Sequence, residues 1–128
     1  MTTSSATTRH RHLGFRPGEP TGVGVDVVRQ ALCDWHLSQV AIDATIVAAE
    51  LLANATQHTP GPSCLDLEYD GTTLRITVTD PLAAPPRPRP HVPDRDHGHG
   101  MFIVQRVASA WGHRPCGTGK EVWAEFTA

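Results

Sequence analysis

Glu50 and Asn54 stand four residues apart inside the most apolar stretch of the chain, which runs from Val40 to Ala55. On a helix, that spacing puts a carboxylate and an amide on one face, one turn apart. Burying both without partners is costly, so this face must meet water, other polar groups or a ligand. One reading is a solvated stripe on a half-exposed helix. The other is a hard-cation site, because Mg²⁺ takes oxygen ligands and keeps part of its water shell. A carboxylate beside metal-bound phosphate can also polarise an attacking hydroxyl. Asp43 and His58 lie near the same stripe.

Other polar residues invite the same question. Asp80 closes an alternating run and precedes Pro81. It is either a turn residue or an acceptor for an exocyclic amine such as that of adenine. Gly98-His99-Gly100 precedes a helical pattern. It is either a flexible turn or a place where backbone amides approach phosphate at a helix N-terminus. His10 with His12, and His97 with His99, have the i, i+2 spacing of a metal pair. No Cys or acidic set around them completes a tetrahedral site in the sequence, so they are read as incidental.

These residues need elements to hold them. Residues 1–11 are Thr/Ser-rich and read as a disordered tail. Residues 12–16 read as a short edge strand. Val25, Val28, Leu32 and Trp35 predict a helix over 22–36. Ser38 is a candidate N-cap for a second helix from about Gln39 to His58, which Thr59-Pro-Gly-Pro62 stops. Leu65, Leu67 and Tyr69, then Leu74, Ile76 and Val78, alternate with polar residues about Asp70-Gly71, which predicts an antiparallel hairpin. Residues 81–97 are too Pro-rich for a helix interior or central strand. A helical pattern resumes at Gly98 and runs through Met101, Val104, Val107, Ala108 and Trp111 to near Gly112. Val122, Ala124 and Phe126 mark a final strand. The order (β)ααββ–loop–αββ predicts an α+β fold, a two-layer α/β sandwich, as one domain over 12–128.

Bulk properties narrow the function classes. The chain has 128 residues and a formal charge of −2, with no basic footprint for nucleic acid. Three cysteines without paired spacing suit a reduced compartment. No apolar run is long enough to cross a membrane, and the polar first ten residues do not form a secretory signal. A cytoplasmic protein is expected.

The order of these features resembles the GHKL (Bergerat-fold) ATPase superfamily, and within it the short anti-sigma-factor serine/threonine kinases of bacteria, over about residues 12–127. The segment Glu50-Leu-Leu-Ala-Asn54-Ala-Thr-Gln-His58 is similar to the family's N box. Val78-Thr-Asp80 resembles its adenine motif, and Gly98-His-Gly-Met101 its lid-end glycine motif. Trp111 to Glu125 resembles the closing hairpin. The resemblance implies a mixed, mostly antiparallel sheet with three main helices on one face and a lid at about 81–97. It implies ATP and Mg²⁺ as ligands. By it, Asn54 would coordinate Mg²⁺, Glu50 would be the general base, and Asp80 would bond the adenine amino group. Gly98, His99, Gly100 and Met101 would hold phosphates. His58 would have a supporting role, with capping of helix-end carbonyls an equal reading. Lys120 would lie near the nucleotide, or be a solvated hairpin lysine.

The resemblance further implies a sigma factor and an anti-anti-sigma (STAS-type) protein as partners, the latter phosphorylated on Ser or Thr, with no direct nucleic-acid contact and no membrane. Relatives of this type are often homodimers. Three positions depart from the family pattern: Pro81-Leu82 replaces x-Gly after the Asp, His99 replaces a longer side chain, and Glu121 stands where a Thr near adenine is common. A nucleotide-gated binding regulator with little or no kinase turnover is the alternative. The ATP-binding half of a sensor histidine kinase fits poorly, since the chain has no room for a phospho-accepting helical domain.

Overall fold

A computed structural model describes residues 8–58, 60–82 and 100–128, His58 in its backbone alone. The elements are β1 (Arg9–Gly14), α1 (Gly22–Asp34), α2 (Ala41–His58), β2 (Cys64–Tyr69), β3 (Thr73–Asp80), α3 (Gly100–Val107), β4 (Ala110–Cys116) and β5 (Gly119–Thr127). The strands form one five-stranded sheet in the order β1-β2-β3-β5-β4. Every neighbouring pair is antiparallel, so the expected mixed sheet is corrected to a wholly antiparallel one. The cause is the connectivity: two local hairpins, β2–β3 and β4–β5, meet through β3 and β5, and β1 is added at the edge.

Alternation along the strands sorts the two faces of the sheet. Leu65, Leu67, Leu74, Ile76, Val78, Val122, Ala124 and Phe126 point to one side and are buried. There they meet Val28 and Leu32 of α1, Val47, Leu51 and Leu52 of α2, and Val104 of α3. Helix α2 lies between α1 and α3 and rests on β3 and β5. The opposite sheet face is polar. On it Arg75 pairs with Glu125 at 2.9 Å and stacks its guanidinium 4.5 Å from the centre of the Trp123 ring. The indole in turn covers Gly112, where a Cβ would come within 2.5 Å of it.

The α+β, two-layer reading is therefore what the chain adopts, with shifted boundaries. Strand β1 begins at Arg9, so residues 9–11 are strand, not tail, and residues 1–7 of the expected tail lie outside the described residues. Backbone pairing with Tyr69–Cys64 holds β1 in place. Helix α1 stops at Asp34 because His36 takes a left-handed conformation, φ 57°. The Leu37 amide then bonds the Leu32 carbonyl and the His36 amide bonds that of Cys33, which is a Schellman closure. Residues Ser38–Val40 form a 3₁₀ turn, and Ser38 makes no side-chain cap, so α2 opens at Ala41. Helix α3 ends at Val107, well before Gly112. The Ser109 amide donates to the Glu125 carbonyl, and pairing with β5 draws Ala110 to Cys116 into a strand. Of the expected lid, residues 83–97 lie outside the described residues.

Candidate functional site

Asp80 is the last residue of β3 and continues the inward row of Leu74, Ile76 and Val78. It faces the helices and is only 2% exposed. Its register partner across β3–β5 is Lys120, which is 4% exposed. The Lys120 ammonium donates to Asp80 Oδ1 at 3.1 Å and to the Leu82 carbonyl at 3.0 Å. The Leu82 amide donates to the same Oδ1 at 2.9 Å. Lys120 Nζ also lies 3.0 Å from Oδ2, which is close enough for ion pairing. The angle there is unsuited to a hydrogen bond, and Oδ2 accepts none among the described residues. The carboxylate is thus charge-compensated but keeps one buried oxygen short of a donor, a costly arrangement unless something else supplies one.

This overturns the reading of Lys120 as a solvated hairpin lysine. The signal was in the alternation: Lys120 shares its parity with Val122, Ala124 and Phe126, so it belongs to the inward row. Gly119 fixes the approach of the two strands. A Cβ there would run into the Asp80 carbonyl oxygen, so only glycine lets β5 begin against the end of β3.

Glu121 has the opposite parity. It lies on the outer face and pairs with Arg114 at 2.6 Å. The Glu121 carboxylate therefore lies on the sheet face opposite to Asp80 and Lys120, paired with an arginine.

Glu50 and Asn54 both sit half-buried on α2, one turn apart. They mark the boundary between the buried row of Val47, Leu51 and Ala55 and the exposed row of Ile46, Ala53 and Gln57. The stripe is accordingly neither core nor fully solvated. Helix α2 rests on β3 and β5, the strands that carry Asp80 and Lys120. Asp43, two turns before Glu50 on the same stripe, is exposed near the start of α2. Gly100 and Met101 open α3. Met101 is 3% exposed and packs in the core with Val104. Gly98 and His99 lie outside the described residues, as does the His58 side chain.

A groove of about 620 Å³ opens elsewhere, between the end of α1 and the start of α2. Cys33, His36, Ile42 and Ile46 line it, and none of Glu50, Asn54, Asp80 or Lys120 does. Its lining is largely apolar and carries no acid/amide pair.

A second correction concerns the histidines. The antiparallel register of β1 and β2 places Cys64 and Asp66 beside His10 and His12, the very set that the linear sequence did not supply.

No protein-family model matches the chain, and comparison with curated proteins yields no relative.

Proposed function

We propose that the chain is a Mg-ATP-binding serine/threonine kinase of the GHKL (Bergerat-fold) type, one that binds a sigma factor and phosphorylates a STAS-type partner. The observation that carries this reading is the buried Asp80. Its Oδ1 is held by Lys120 and Leu82, while Oδ2 lacks a donor among the described residues. An exocyclic amine, such as that of adenine, supplies the missing N–H. The half-buried Glu50 and Asn54 on α2 support the reading from the phosphate side.

In this reading the Asn54 amide oxygen would hold Mg²⁺, which would offset phosphate charge when bound. Glu50 accepts the proton of the acceptor hydroxyl as its oxygen bonds the γ-phosphorus. The bond to the bridging oxygen breaks, and ADP leaves. The amides at the start of α3 are donors for phosphate oxygens.

A second reading, a nucleotide-gated regulator with little turnover, is favoured by one observation. Lys120 already occupies Asp80. Adenine would reach the carboxylate through one oxygen only, which lowers nucleotide affinity.

Calorimetric titration with ATP, with and without Mg²⁺, tests the first step. Asn54→Ala should abolish the Mg²⁺ dependence. Asp80→Asn is the better adenine-side variant. Lys120 and the Leu82 amide, both donors, keep the Asn oxygen at the Oδ1 position. The amide NH₂ then stands where Oδ2 was and opposes the adenine amine. Binding indifferent to both variants sinks the site. Binding without phosphoryl transfer to a STAS-type protein selects the regulator.

A further inference from the structure

We propose that His10, His12, Cys64 and Asp66 form a binding site for a divalent ion of the zinc class on the outer face of β1 and β2. The site is separate from the helix-facing residues assigned to nucleotide and does not depend on that assignment.

The geometry follows from register. His12 is the direct partner of Asp66, and Gly14 that of Cys64. His10 and His12 are two residues apart on β1, as Cys64 and Asp66 are on β2, so all four side chains leave the same face of the sheet. His12 Nδ1 donates to Asp66 Oδ1 at 2.7 Å, and His10 Nε2 donates to the same oxygen at 3.1 Å. The Cys64 thiol donates to Asp66 Oδ2 at 3.6 Å. The ligand atoms of His12, Cys64 and Asp66 all lie within 4.8 Å of one another.

Tetrahedral zinc sites have metal–ligand bonds of about 2.0–2.3 Å, which places their donor atoms roughly 3.3–3.8 Å apart. The distances among His12, Cys64 and Asp66 bracket that spacing, so small side-chain rotations bring these three into a coordination shell, and His10, in contact with Asp66, stands next to it as the fourth donor. The donor set is two imidazole nitrogens, one sulfur and one carboxylate oxygen. Imidazole and thiolate select zinc-class ions over Mg²⁺ and Ca²⁺, which prefer all-oxygen shells. Access is open: the side chains of His10 and His12 are 52% and 55% exposed and that of Asp66 is 26% exposed. On binding, Cys64 gives its proton to solvent, and each imidazole shifts its N–H to the far ring nitrogen so that a lone pair faces the ion. The bound ion ties the edge strand β1 to β2.

The test uses the purified full chain without nucleotide. Zn²⁺ is titrated in competition with a chromogenic chelator, with Mg²⁺ as a control, and Co²⁺ is added as a spectroscopic substitute. The expected result is one Zn²⁺ per chain, no competition by Mg²⁺, and a sulfur-to-cobalt charge-transfer band in the near ultraviolet. Cys64→Ser removes that band, and both Cys64→Ser and His12→Ala weaken Zn²⁺ binding at least about tenfold. All four side chains are at least partly exposed, so circular dichroism should show both variants folded. Zn²⁺ affinity that falls less than tenfold in both variants, or a Co²⁺ spectrum without the sulfur band, overturns the site. Neither outcome bears on ATP binding, whose own variants lie on the other side of the sheet.

Discussion

Removing the Lys120 ammonium should be among the most destabilising single changes available in this chain. Lys120→Met keeps most of the side-chain volume but leaves the Asp80 carboxylate, 2% exposed, with the Leu82 amide as its remaining donor among the described residues. Breaking a buried pair by deleting one partner costs about 3–5 kcal/mol, because an uncompensated charge stays in a poorly solvated place. With a urea m-value of about 1.5 kcal/mol/M, that is a midpoint shift of roughly 2–3 M. Asp80→Leu should cost about as much, since it strands the ammonium against the Leu82 carbonyl. The double variant Asp80→Leu/Lys120→Met removes both charges and should lie within about 1 kcal/mol of the parent. The cycle would then return a coupling of several kcal/mol, far above that of a surface pair. Equilibrium urea unfolding followed by far-UV circular dichroism measures all four proteins. A cost under about 1 kcal/mol for Lys120→Met would refute the reasoning. It would mean that the lysine reaches water and that Asp80 is solvated as well.

Three further outcomes are expected. Gly119→Ala forces a methyl group toward the Asp80 backbone carbonyl and should destabilise by about 1–3 kcal/mol, read as a lowered urea midpoint. His36→Gly should stabilise by about 1 kcal/mol, because the residue closing α1 has φ 57° and glycine adopts that conformation without a Cβ penalty; a lowered thermal midpoint would count against it. Asp70 accepts from the Thr72 and Thr73 amides and the Thr72 hydroxyl at the β2–β3 turn, and these bonds hold its carboxyl below the usual range. Its stabilising effect is full above the unfolded value of about 3.9 and fades as pH falls through the lower folded value. The gap in stability between the parent and Asp70→Ala should therefore close on acidification below about pH 4, and a gap that widened instead would contradict the assignment.

The sequence was most legible where apolar period and element type agree. The alternation of Leu74, Ile76 and Val78, and the apolar girth of α2, read directly into β3 and the central helix. Boundaries failed where a long-range partner decides them. Trp111 continues a helical spacing on paper, yet pairing with Ala124 makes it strand. Among the proposed site residues, Glu50, Asn54 and Asp80 were legible because each is polar at a position its neighbours mark as apolar. Lys120 was legible in principle, by parity with Val122, but the glycines before it suggested a loop. The His10, His12, Cys64 and Asp66 cluster was not legible at all. It depends on which residue of β1 faces which of β2, and the register is set by pairing across two intervening helices.

The strand order also carries a kinetic consequence. Strands β2 and β3, and β4 and β5, are each joined by a tight turn, so each hairpin can form from local contacts alone. Zipping β3 against β5 instead requires the chain from Pro81 to Thr118 to be closed into a loop first. That closure entropy precedes most of the contacts that reward it, so this pairing is the expected rate-limiting event. Conservative truncations at the β3–β5 seam, such as Val78→Ala and Val122→Ala, should slow folding, whereas Leu13→Ala in late-joining β1 should speed unfolding. An edge strand added last is also the first to leave. Amide exchange in β1 should therefore run ahead of the strands at the centre of the sheet, because pairing along β2, the Arg11–Asp34 pair at 2.7 Å, Arg11 over Trp35 and Leu13 against the core restrain it from one side of the sheet alone.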